Sequence, residues 1–199
     1  MKKVFSLIAA SLIVSEVSAM GKKSRGKCLA DSTVTNFDIS EYSGTWYEAV
    51  REQDISFPRY YKDSDCVTAV YTDKGDYLGV DNTGRQEDGS YKGIKGTAYC
   101  VDSGVADCQV SFFFFTPKKA TKRRSNYHVL ATDYDNYSIV YSCEQKFFGL
   151  RKQESVWILS RTPQPTQNEL DTWLSELEDF GYEISTMKRY GQPGTCTYA

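Results

Sequence analysis

The chain has 199 residues, with 26 acidic and 24 basic side chains, one histidine and a net charge of −2. That balance lacks the basic footprint of a nucleic-acid binder, and one histidine with no Cys-x-x-Cys spacing leaves no zinc site. The length supports one domain with a sizeable core.

Residues 1–19 read as a secretory signal peptide. Lys2 and Lys3 give a positive start, Val4 to Val14 is apolar apart from Ser6 and Ser11, and Val17-Ser18-Ala19 suits a signal peptidase. The apolar run is far shorter than the ~20 residues of a spanning helix, and no later segment offers a membrane span. Residues 20–199 then form a single extracellular domain. Losing Lys2, Lys3 and Glu16 shifts its net charge by one unit, from −2 to −3. Lys22-Lys23-Ser24-Arg25 is expected to be a mobile terminus, and Lys118 to Arg124 a solvated loop between strands. Cys28, Cys66, Cys100, Cys108, Cys143 and Cys196 make an even count. In a secreted chain that implies three disulfides, with the pairing open among the combinations six cysteines allow.

From Gly44 onward, short runs rich in Val, Tyr, Phe and Thr alternate with Gly, Asp and Asn, the pattern of an all-β protein. Strands are predicted near 45–53, 66–72, 76–82, 91–100, 107–115, 126–132, 137–143 and 154–161. Asp73-Lys74-Gly75, Glu87-Asp88-Gly89 and Asp135-Asn136 supply turns. Cys100 and Cys108 flank the turn-rich Asp102-Ser103-Gly104, so they can face each other across a hairpin. Eight strands joined mostly by short turns suit an up-and-down antiparallel barrel, whose closure removes exposed edges. One helix follows. Thr166 and Glu169 form a capping box, Leu170, Trp173, Leu174, Leu177 and Phe180 recur at helical spacing, and Gly181 is the stop. This helix is expected to pack outside the barrel.

Three patches in this order resemble the signatures of the lipocalin family: Gly44-Thr45-Trp46-Tyr47, Ala131 to Tyr137 with Thr132-Asp133-Tyr134 at its centre, and Ile158-Leu159-Ser160-Arg161. The run on to Cys143 is most similar to the branch holding apolipoprotein D, the bilin-binding insect lipocalins and the carotenoid-binding crustacyanins. The resemblance implies that Trp46 plugs the closed end with Arg161 stacked over its ring, a cation–π contact. Gly44, Trp46, Thr132, Asp133, Tyr134 and Arg161 are thus structural. It also implies Cys28 paired with Cys143 and Cys66 with Cys196, leaving Cys100 with Cys108.

With Trp46 inward and Thr132 and Arg161 matched to the family positions, strand alternation gives a lining. Tyr71, Leu78, Val80, Asn82 and Ile94 come from the earlier strands, and Val110, Phe112 and Phe114 from the fifth. Tyr127 and Val129, Ser138 and Val140, and Ser155, Trp157 and Leu159 come from the last three, with His128 outward. Such a lining, aromatic and apolar with few polar groups, suits a large, flat or conjugated hydrophobic ligand. The aromatic stretch Gln53 to Lys62, with Phe57 and Tyr60, resembles the lid loop of the family and equally suits a homo-oligomer contact through the barrel mouth.

These readings imply a non-covalent carrier of a small hydrophobic molecule, with a carotenoid pigment ahead of a bilin or a colourless lipid or steroid. No nucleophile–base pair is legible, so no catalytic residue is assigned. The competing classes are a lipocalin-type isomerase, which needs a free barrel thiol, and a surface-acting inhibitor or receptor ligand. Asn136-Tyr137-Ser138 is a glycosylation sequon.

Overall fold

The alternating runs form strands because β-branched and aromatic side chains pack well on a pleated, half-buried surface. A computed structural model describes residues 22–29, 33–53, 61, 63–112, 126–146, 148 and 150–198. The elements, in chain order, are β1 (Lys22–Arg25), β2 (Thr35–Phe37), α1 (Ile39–Tyr42), β3 (Gly44–Glu52), β4 (Asp65–Asp73), β5 (Leu78–Arg85) and β6 (Tyr91–Cys100). Then come β7 (Gly104–Val105), β8 (Asp107–Ser111), β9 (Tyr127–Thr132), β10 (Tyr137–Lys146), β11 (Arg151–Ser160), α2 (Gln167–Asp179) and β12 (Met187–Arg189). Residues 1–19, expected from the sequence to be a signal peptide, and Phe57, Tyr60, Phe114 and Lys118 to Arg124 lie outside the described residues.

Strands β3, β4, β5, β6, β8, β9, β10 and β11 pair antiparallel in that order, and β11 pairs back onto β3 to close the ring. The base holds the β4–β5 and β9–β10 turns. The opposite rim is formed where β3, β5, β8 and β10 end and β4, β6, β9 and β11 begin. Outside the ring, β1 pairs with the rim half of β11, Arg25 opposite Arg151, and β12 pairs with the rim half of β3. Lys22–Arg25 is therefore an edge strand, not the mobile terminus expected from its charge. The rim half of β11, already paired with β10, offered a free backbone edge on its other side.

Two apolar clusters sandwich the wall. The inner one gathers Phe37, Tyr42, Trp46, Tyr71, Leu78, Val80, Val129, Val140 and Leu159. The outer one gathers Ala131, Ile139, Val156 and Ile158 with Leu170, Trp173 and Leu177 of α2. Burying each of those helix side chains contributes about 1.5–3 kcal/mol. Trp173 stacks on Tyr137 at 5.3 Å between ring centres, so it packs the helix to the wall as expected. The helix starts at Thr166, whose side chain and that of Glu169 cap each other's backbone N–H groups. It ends at Phe180, with Gly181 at φ +87°.

Gly96 is needed where it stands. A Cβ there would collide with the carbonyl oxygen of Ser111 and the ring of Phe112, so the end of β8 approaches β6 as closely as only glycine allows.

Candidate functional site

The base of the barrel is sealed by three sequence patches meeting at one arginine. Arg161 lies 3.6 Å over the Trp46 ring, and its guanidinium donates to the carbonyls of Tyr134, Thr45 and Glu41 at 2.8, 3.1 and 2.9 Å. The Trp46 indole N–H donates to the Tyr42 carbonyl. Gly44 has φ +106°, and a Cβ there would come within 3.1 Å of Arg161, which explains glycine at this position. Thr132 bridges Tyr137 and Tyr134, holding Tyr134 at φ 65°. Asp133 accepts from the Asn136 amide and backbone and from the Tyr137 N–H. Burial works against its charge, but these hydrogen bonds win and hold the carboxyl below the usual carboxylate range. Asn136 is exposed, with its side-chain amide donating to Asp133.

Above this plug, the wall presents the predicted phase. Tyr71, Val80, Val129, Val140 and Leu159 are buried in the inner cluster, and Val110, Phe112, Tyr127 and Trp157 are partly buried against it. Register sets Asn82 opposite Ile94, two residues beyond Val80 opposite Gly96, and Ser155 two residues from Trp157. The Oδ1 atom of Asn82 is buried without a hydrogen-bond partner. His128 faces outward, 3.0 Å from Asp107.

The interior is more polar than the sequence implied. The Tyr42 hydroxyl lies 2.8 Å from the Ser138 Oγ and 2.9 Å from the Tyr127 hydroxyl, which is itself 2.9 Å from that of Tyr71. Burial pushes the Tyr42 hydroxyl up to about 12 and Tyr71 and Tyr127 upward as well, so the cluster is neutral. Ser138 is fully buried beneath Tyr42, part of the floor.

An ion pair also enters the lining. Arg51 and Glu48 are 0% and 1% exposed and 2.9 Å apart. The Tyr61 hydroxyl donates to Glu48, and the Arg51 guanidinium sits 4.5 Å from the Tyr61 ring and 3.5 Å from that of Tyr190. Burial raises the Glu48 carboxyl above its usual range despite Arg51 and Tyr61. A bulge in β3 explains the geometry. Val50 pairs with Ile158 but Glu48 pairs with Leu159, so one residue is extra and both Glu48 and Arg51 fall opposite inward positions, Leu159 and Trp157.

The lipocalin-like family model matches residues 37–192. The chain belongs to the lipocalin family. It is 36% identical to mouse (Mus musculus) apolipoprotein D over 166 residues, covering 81% of this chain and 80% of that one. In structure it is similar to insecticyanin from the tobacco hornworm Manduca sexta, with TM-score 0.69, 22% identity and coverage of 85% and 88%. It is also similar to apocrustacyanin C1, with TM-score 0.67, 20% identity and coverage of 87% and 93%. Members of the family bind small hydrophobic ligands.

In this lipocalin all six cysteines are bridged as the resemblance implied, Cys28–Cys143, Cys66–Cys196 and Cys100–Cys108. Cys100 and Cys108 face each other in the β6–β8 register. Among the described residues no cluster of three His, Cys, Asp or Glu side chains has the arrangement of a metal site. A surface cleft of about 400 Å³, lined by Thr162, Gln164, Gln192 and Tyr198, lies apart from the barrel interior and contains none of the predicted lining residues.

Besides the Glu48–Arg51 pair, sequence reasoning missed Tyr42, Tyr190 and Gln192. Tyr42 is placed by α1, whose Asp38 cap accepts from Ser40 and Glu41, a local signal legible in Asp38-x-Ser40-Glu41. Tyr190 and Gln192 come from the tail after α2. The Gln192 amide donates to the carbonyls of Glu48 and Val67, bridging β3 and β4 where their pairing ends. Nothing in the tail's sequence marks that role.

Proposed function

We propose that this lipocalin is a secreted, non-enzymatic carrier that holds a hydrophobic pigment in its barrel without a covalent bond, a carotenoid ahead of a bilin or a colourless lipid. The observation that carries this reading is the inward column of Trp157, Tyr127, Phe112, Val110 and Val80 above a base sealed by Trp46 and Tyr42. Apolar lining drives uptake at ~25 cal/mol per Å² of buried ligand surface. The flat rings of Trp157, Tyr127 and Phe112 favour a planar, conjugated occupant over a branched one. Asn82, with its acceptor oxygen unpartnered, and the Tyr127 hydroxyl are polar points that can orient a ligand oxygen, alongside the Glu48–Arg51 pair.

An isomerase working through a barrel thiol finds no support, because every cysteine is in a disulfide. The three bridges support an extracellular setting. The test is the absorption spectrum of the protein purified from its source, with mass spectrometry of its organic extract. A visible band and an extracted polyene are expected. A colourless protein yielding a lipid or steroid sinks the pigment reading, and an empty barrel sinks the carrier reading.

A further inference from the structure

The hairpin joining β10 to β11 ends in an apolar tip that the cup does not explain. Phe148 is fully exposed and Leu150 is 72% exposed. The other exposed large apolar side chains among the described residues, Tyr91 and Tyr198, are each only 36% exposed, and the Tyr91 hydroxyl accepts from the Thr197 backbone N–H. The tip stands on a paired stem that runs out to Lys146 opposite Arg151. The N-terminal segment is tied to this stem: the Gln145 amide donates to the Gly26 carbonyl at 2.9 Å, and the Cys28 N–H donates to Gln145 at 3.1 Å.

The same region concentrates positive charge. Arg25, Lys27 and Arg151 are exposed around the stem, and Lys146 and Lys152 flank them. The acidic groups there are Glu144, beside Lys146, and Glu154, buried against Lys152. Among the described side chains there, five basic groups against two acidic ones leave a local excess of three positive charges, in a chain whose net charge is −2. Exposed aromatic and aliphatic side chains ringed by basic ones are the composition of an interfacial anchor. A second copy of the chain would bring the same positive charge to the contact, which disfavours self-association through this tip.

We propose that the β10–β11 tip docks the protein on an anionic lipid surface, with Phe148 and Leu150 entering the boundary between headgroups and acyl chains. Arg25, Lys27 and Arg151 then face the headgroups, where each basic residue strengthens binding about fivefold. The tip lies at the rim, so docking brings the mouth of the cup to the lipid from which a hydrophobic ligand would enter or leave. Docking itself does not depend on what the cup holds.

The test is sedimentation of the full chain with vesicles of equal parts phosphatidylserine and phosphatidylcholine, against vesicles of phosphatidylcholine alone. The anionic vesicles should bind the protein, and added salt should release it. Phe148→Asp with Leu150→Asp should weaken binding about tenfold or more, and Arg25→Glu with Lys27→Glu should weaken it by a similar factor, both without changing thermal unfolding. No binding to anionic vesicles overturns the proposal. Binding that survives the tip substitutions overturns it too, since charge alone then suffices. A dimer seen by light scattering and abolished by the tip substitutions, with no vesicle binding, gives the tip to a second copy instead.

Discussion

At the base of the barrel Arg161 stacks 3.6 Å over Trp46 and donates to the backbone carbonyls of Tyr134, Thr45 and Glu41; toward the rim Arg51 stacks 3.5 Å over Tyr190 and donates to the carboxylate of Glu48. Both arginines lie over an aromatic ring, Arg51 fully buried and Arg161 partly exposed, and they are neutralised differently. The base uses main-chain acceptors that exist as soon as the strands and turns are in place. The upper cup uses a second charged side chain, so two ions must be desolvated together and each is costly without the other. The base tolerates no change of geometry, whereas the upper pair tolerates no change of one partner alone.

The largest effect that separates the two regions is expected at the pair. Arg51→Ala leaves Glu48 buried and uncompensated, costing about 3–5 kcal/mol in denaturant unfolding. Replacing both Glu48 and Arg51 with methionine should recover most of that loss. If the double variant is as unstable as the single, the pair does more than neutralise itself. At the base, Arg161→Lys keeps the charge but loses the planar fork, and should cost about 1.5–3 kcal/mol by the same measurement. An unchanged stability would show that charge over Trp46, not the carbonyl contacts, closes the barrel.

The smallest effect is one of sign. Hydrogen bonds hold Asp133 below the usual carboxylate range, so its contribution is present above that range and is lost as pH falls through the lowered value. Glu48 behaves in the opposite sense. Burial raises it, so its contribution is complete at acid pH and declines as pH rises through the raised value. In unfolding measured across pH, Asp133→Asn should remove the acid-side loss, and the variant with methionine at both Glu48 and Arg51 the decline on the other side. Parallel effects of the two variants would break the contrast.

The same contrast explains what the sequence could reveal. Gly44, Trp46, Thr132 to Tyr134 and Arg161 are legible through the lipocalin resemblance, and in the structure each answers a backbone requirement: a positive φ, a turn, or a ring at fixed distance from three carbonyls. Trp46 also carries the inward phase to Tyr71, Val129 and Trp157, because alternation holds wherever the strands are regular. It fails on β3 itself. The bulge between Glu48 and Val50 turns Arg51 inward where unbroken alternation puts Val50, and no residue there announces an extra position. Tyr190 and Gln192 were illegible for another reason, since their partners lie more than a hundred residues earlier in the chain. The edge strand β1 was obscured by its charge, because lysine-rich composition reads as solvated whether or not a neighbouring backbone edge is free.

The central claim, that the inward column above the sealed base holds the ligand, is tested most directly by titrating a carotenoid such as lutein into the purified protein and following quenching of its tryptophan fluorescence. The wild type should be quenched at one ligand per chain, through Trp157. Ile94→Trp, which places bulk on the inward phase opposite Asn82, should weaken binding about tenfold or more while leaving thermal unfolding within about 1–3 kcal/mol of wild type. Saturable binding that Ile94→Trp leaves unchanged would place the ligand outside the cup and contradict the account.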